Sequence, residues 1–157
     1  MASGKVSYQM ISLKYGIYVG IAHILFFLLM GVLGLHDYVE FSFISALFVI
    51  VGICLAIASY KRVRGGMLNY LHGLAIGATV GVVSSTLLAL FMVIYITAFD
   101  ASYLNNLQAS ALFPQSLSLL SLFVLTIIYG LIPGFLIGFI AMQWYKRPDH
   151  TMSERVR

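Results

Sequence analysis

The sequence predicts an all-α integral membrane protein, a four-helix bundle running up-down-up-down with both termini cytoplasmic. Three observations lead there. The chain is 61% hydrophobic and only 9% charged over 157 residues, with a mean hydropathy of +0.99, which is more apolar surface than a water-soluble domain of this size can hide. The apolar residues gather into four stretches, each long enough to cross a hydrocarbon core of ~30 Å at about 1.5 Å per residue. Finally, every Lys and Arg falls on one side of a four-span layout.

The first stretch covers residues 15–35. Although Lys5 and Lys14 precede it, it is longer than a signal-peptide core and shows no small-x-small cleavage site, so it reads as a retained span. The second covers 41–60, the third 73–99 and the fourth 119–143. The third is the longest and is expected to tilt or to project beyond the core. Four spans and their connections account for one membrane domain over 1–157, with no separate soluble domain.

The connections 36–40, 61–72 and 100–118 fix the orientation. Lys5, Lys14, Lys61, Arg62, Arg64, Lys146, Arg147, Arg155 and Arg157 lie on one side, while Asp37, Glu40 and Asp100 lie on the other. The positive-inside rule then places both termini and the middle connection in the cytoplasm. Tyr15, Tyr18, Tyr60, Trp144 and Tyr145 mark the interfaces, as amphipathic rings do. From Arg147 onward, Pro148 and polar residues read as a mobile cytoplasmic tail over 147–157. In the outer connection, Leu104, Leu107, Ala111 and Leu112 recur at helical spacing after Asp100 or Ser102 as a cap. Two readings fit there, a short interfacial helix and a plain loop.

The basic balance of +4 belongs to span-flanking topology signals and headgroup contacts, not to a nucleic-acid surface. Cys54 is the single cysteine. It excludes an intramolecular disulfide and a cysteine metal site, and reads as a packing residue.

Small residues recur every fourth position. Gly73, Gly77, Gly81, Ser85 and Ala89 share one face of the third span, and Gly130, Gly134 and Gly138 share one face of the fourth. Such stripes let helix backbones approach closely in lipid, where no hydrophobic drive brings helices together. They are the candidate helix-packing residues, and two uses are open to them. They can close the bundle upon itself, or one stripe can face outward and join a second copy or another membrane subunit. Gly16 and Gly20 are a shorter pair on the first span. Pro133 interrupts the fourth stripe and removes a backbone hydrogen bond.

No Asp, Glu, Lys or Arg lies well inside a span, which argues against a proton-coupled exporter, and no acid, base or nucleophile set marks an enzyme. No catalytic, cofactor or metal residue is therefore assigned. His23 and His72 are the weak cofactor candidates, because both helices start from the same side and a bis-histidine haem or metal site needs such a pair. Ordinary hydrogen bonding to a Ser, Tyr or carbonyl is the competing use. Ser84, Ser85, Thr86, Thr79, Ser121 and Thr126 read as interhelical or back-bonding hydroxyls. His36, Asp37 and Glu40 form a solvated turn or a weak cation site. Asn105 and Asn106 do not begin a glycosylation acceptor, and no phosphate-cradling glycine loop is present.

Lys14-Tyr15-Gly16, Ser59-Tyr60-Lys61-Arg62, Gly65-Gly66, Leu71-His72-Gly73, Ala75 to Gly77 and Pro133-Gly134 resemble the bacterial four-span membrane proteins of the domain of unknown function family number 4199. The resemblance runs from about Leu13 to Arg147. It implies fold and topology, and transfers no catalytic residues. The outer connection here is shorter and less charged than is usual in that family.

The resulting expectation is a non-enzymatic bundle in a bacterial cytoplasmic membrane, with lipid, a second copy or another membrane protein as partners, no nucleic acid and no cofactor. A small transporter or channel component acting as an oligomer is the alternative, and a membrane enzyme ranks third. A permeation path needs a continuous polar stripe, whereas Thr79, Ser85, Thr86 and Thr97 scatter around the third helix.

Overall fold

A computed structural model describes residues 7–35, 42–66, 68–109 and 114–145. These form five helices: α1 (Tyr8–Val32), α2 (Ser42–Val63), α3 (Tyr70–Ala98), α4 (Ser102–Ala109) and α5 (Leu119–Tyr145). Four of them, all except α4, are long and apolar enough to cross a membrane. Lys5, Lys146, Arg147, Arg155, Arg157, the expected tail over 147–157, the His36, Asp37 and Glu40 cluster, Ala111 and Leu112 lie outside the described residues.

The helices begin and end where capping chemistry permits. α1 starts seven residues before the apolar run, because Ser7 accepts from the Gln9 amide and nothing in between breaks a helix. α2 carries Lys61 and Arg62 in its last turn, where cations complement the helix dipole. It stops in a Schellman motif: Gly66 N–H reaches Lys61 C=O at 3.0 Å, Gly65 N–H reaches Arg62 C=O at 3.3 Å, and Gly65 takes a φ of 63° that a side chain disfavours. Asn69 caps α3 by accepting from the Leu71 amide. Ser118 and Ser121 exchange hydrogen bonds at the head of α5. The short-helix reading of the outer connection holds, with Asp100 accepting from Ser102 N–H at 3.0 Å. α5 continues as one helix through Pro133.

Contacts along the helices give their relative senses. Gly77 lies against Gly138 and Gly134, and Gly81 against Gly134 and Gly130, so α3 and α5 are antiparallel. Gly16 lies against Val80 and Val83, and Gly20 against Leu87, so α1 and α3 are parallel neighbours. α2 is antiparallel to α1, with Gly52 at Val19 and Ser45 at His23. Successive spans therefore alternate in direction, while the order around the bundle is α1, α3, α5, α2. α3 is the hub, packing most extensively on α5 and then α1.

Two cores lie along this bundle. One gathers Ile53, Ile57, Tyr60, Ile76, Val80 and Met142 toward the end where Lys14, Lys61, Arg62 and Arg64 sit. The other gathers Met92, Ile96, Tyr103, Leu117 and Leu122 at the opposite end, where Tyr103 anchors α4. There Phe27 meets Phe91, Tyr95 and Tyr103 edge-on, a geometry that aligns ring edges with ring faces. The outer surfaces carry large apolar side chains, including Ile21 and Leu25 on α1 and Ile132, Leu136 and Ile140 on α5. In water this exposure would be intolerable, and in lipid it costs nothing.

Candidate functional site

The glycine faces meet each other inside the chain. A β-carbon added at Gly77 would sit 2.6 Å from the Gly134 carbonyl oxygen and 2.8 Å from Gly138 Cα. One added at Gly134 would sit 2.8 Å from the Gly77 carbonyl oxygen. At one end of this seam the Met142 sulfur fills the notch at Gly73. At the other, Ser85 lies against Gly130 and its hydroxyl reaches the carbonyls of Val82 at 3.1 Å and Ile127 at 3.5 Å. Gly73, Gly77, Gly81 and Ser85 thus lie along Gly130, Gly134 and Gly138 with backbone against backbone. Ala89 continues the same face and is buried.

Hydroxyls at membrane depth turn back to their own helices: Ser12 to Gln9 C=O at 3.0 Å, Ser84 to Gly81 C=O at 3.1 Å and Thr126 to Leu122 C=O at 2.7 Å. Each is thereby satisfied without a partner helix.

The histidines do not come together. Because α1 and α3 run parallel with Gly16 beside Val80, His72 at the head of α3 lies level with Tyr8, and its ring stacks on Tyr8 at 4.7 Å. His23 is fifteen residues further along α1, about 22 Å away at 1.5 Å per residue. The shared starting side is not sufficient to pair them. His23 is 7% exposed, its Nε2 donates to Ser45 C=O at 3.0 Å and its ring meets Phe48 edge-on. Since a carbonyl only accepts, Nδ1 is the unprotonated nitrogen of the neutral ring, and it has no hydrogen-bond partner among the described residues.

His72 belongs instead to a cluster that the sequence motifs did not announce. Tyr60, 1% exposed at the end of α2, brings its hydroxyl within 3.0 Å of His72 Nδ1, and Arg64 Nε donates to the same hydroxyl at 3.2 Å. The guanidinium also lies 5.7 Å from the Tyr60 ring centre. Around this centre, Tyr15 and Ser59 share a 2.6 Å hydrogen bond between α1 and α2. Lys61 Nζ donates to Tyr145 C=O at 3.3 Å, the Tyr145 hydroxyl donates to Cys54 C=O at 3.3 Å, and Gln143 Nε2 donates to the Tyr70 hydroxyl at 3.2 Å. All four long helices are tied at this one end by polar groups. The expected hydrogen bonding of His23 and His72 to a carbonyl or a Tyr holds, but which Tyr His72 meets depends on the turn at Gly65-Gly66, which lays the head of α3 back over the end of α2.

Among the described residues no group of three or more His, Cys, Asp or Glu stands ready for a metal ion. At the opposite end a shallow cleft of about 230 Å³ is lined by Phe27, Leu28, Gly31, Val32 and Tyr95.

Four apolar spans closed by a glycine seam and tied by a basic, hydrogen-bonded end define a multi-pass helical membrane protein. Within that class the chain belongs to the family described as Protein of unknown function (DUF4199), whose model matches residues 14–147. That interval holds the seam and all of the end cluster but Tyr8. No curated protein and no solved structure matches the chain.

Proposed function

We propose that the chain is a non-enzymatic membrane bundle that works by assembling with itself or with a partner membrane protein, both termini facing the cytoplasm of a bacterium. The observation that supports the non-transporting part of this reading is the seam: α3 and α5 meet through backbone atoms, which leaves no room for a channel between these two helices. The turned-back hydroxyls of Ser12, Ser84 and Thr126 support it, since each spends its proton on a carbonyl of its own helix. The glycine faces are occupied within the chain, so assembly would use the large apolar side chains on the outer faces of α1 and α5.

A second reading, a small transporter or channel component acting as an oligomer, draws on His23. Its buried Nδ1 offers a lone pair with no donor among the described residues, and intramembrane histidines serve in proton relays. Subunit counting by stepwise photobleaching in liposomes, over a range of protein-to-lipid ratios, separates the two. Assembly that rises with protein density, without ion flux, supports the first reading. Monomers at every density with no flux overturn both, and flux that is lost on changing His23 favours the second.

A further inference from the structure

We propose that the basic end of the bundle is a binding site for a phosphate-bearing anion, supplied as an anionic phospholipid headgroup and held by Arg64, Arg62 and His72. The direction of the hydrogen bonds sets the site. Arg64 Nε–H donates to the Tyr60 oxygen, and the Tyr60 hydroxyl lies within 3.0 Å of His72 Nδ1; in the tautomer in which Nδ1 accepts from Tyr60, the ring carries its proton on Nε2. Tyr60 thus holds one side chain from the turn after α2 and one from the head of α3, which present the two Nη groups of Arg64 and, in that tautomer, the Nε2–H of His72. None of these meets an acceptor among the described residues. A guanidinium anchored through Nε retains the fork geometry that matches phosphate oxygens.

Charge and access favour the same occupant. Lys14, Lys61, Arg62 and Arg64 share this end, whereas Asp100 is the only acidic side chain among the described residues and sits at the other end beside Ser102. No described carboxylate neutralises the cluster. Among the described residues nothing lies within 4 Å of a β-carbon placed at Gly65 or Gly66 in the α2–α3 connection, and Arg62 and Arg64 are exposed. Val63 and Leu71, 54% and 71% exposed, flank Arg64 and His72 and offer apolar surface for acyl chains directly below a headgroup. A free phosphate would use the donors alone; a phospholipid uses both. The inference concerns the end itself and holds whichever membrane face it occupies, so it is independent of the assembly reading above.

The test is thermal unfolding of the full-length protein in mild detergent, titrated with short-chain phosphatidylglycerol, phosphatidylcholine or inorganic phosphate. Phosphatidylglycerol should raise the melting temperature saturably and bind at least several-fold tighter than phosphatidylcholine. Arg64→Gln should weaken that binding about fivefold, the equivalent of ~1 kcal/mol per arginine near an anionic surface, with Arg64→Lys intermediate because charge returns without the fork. Tyr60→Phe, which leaves every charge in place, should also weaken binding relative to its own lipid-free baseline. If inorganic phosphate alone gives the same saturable shift with the same dependence on Arg64, the anion site stands and its occupant is soluble. Equal effects of the two lipids, or phosphatidylglycerol affinity unchanged by Arg64→Gln, would overturn the proposal; exposed Arg64 can be replaced without threatening the fold.

Discussion

Gly77→Ala is the sharpest probe of the seam. The new β-carbon would lie 2.6 Å from the Gly134 carbonyl oxygen, 2.8 Å from Gly138 Cα and 3.2 Å from Gly138 N. A carbon approaches a carbonyl oxygen no closer than roughly 3.3 Å, so α3 and α5 must part by about 0.7 Å. All three obstacles are backbone, and none can rotate aside. A gap of that size forfeits about a quarter to a half of each dispersion contact along the crossing, placing the substitution in the overpacking range of about 1–3 kcal/mol. Alanine's better helix propensity returns up to about 1 kcal/mol. With the full propensity gain the net expectation is a loss of about 0–2 kcal/mol, and a larger loss for Gly77→Leu. The assay is reversible unfolding in mixed micelles, with the lipid-facing change Leu90→Ile as a control expected to be nearly neutral. A Gly77→Leu protein as stable as its parent would refute the close backbone approach. A protein equally stable but altered in assembly size would make the stripe an intermolecular surface.

Four further outcomes are expected. Gly20→Ala should cost less than Gly77→Ala in the same assay, because its nearest obstacle is the Leu87 side chain at 2.7 Å, which can adjust its rotamer. Tyr60→Phe should destabilise the lipid-free protein by about 0.5–1.5 kcal/mol, since His72 Nδ1 and Arg64 Nε lose the hydroxyl they share, whereas an unchanged unfolding midpoint would show that the cluster contributes nothing to folding. His23→Phe should change stability by no more than about 1 kcal/mol in either direction, because it removes both a buried acceptor with no donor among the described residues and the Nε2 hydrogen bond to Ser45 C=O; a Soret band in the parent protein that this change abolishes would show that a ligand occupies Nδ1. Reporters inserted at Gly65 should read cytoplasmic and those at Asn105 external, and an external signal at Gly65 would overturn the orientation.

Spans and seam were legible because both are encoded by period. Twenty-residue apolar runs announce helices, and glycines four apart announce a face along which another backbone can lie. What the sequence did not carry was which face meets which helix. Nothing in residues 15–35 or 73–99 marks α1 and α3 as parallel neighbours, and without that register His23 and His72 look pairable. The Arg64, Tyr60 and His72 cluster was hidden for a related reason: its members are separated by a glycine turn whose direction depends on a Schellman closure, not on composition. The early start of α1 was missed because residues 8–14 are weakly apolar, and what makes them helical is the Ser7 cap and continuity with the span.

The parallel pairing of α1 with α3 also bears on how the chain is made. α1 and α2 leave the ribosome first and can pair as an antiparallel hairpin, but Gly16 and Gly20 then face an empty notch, since the side chains that fill it are Val83 and Leu87. α3 must enter alongside both helices after they are already in the bilayer. Until α5 arrives, its own row at Gly77 and Gly81 is also bare. Maturation is therefore bound to the order of synthesis, and a chain stopped before α5 would hold its most adhesive groove open to any passing helix.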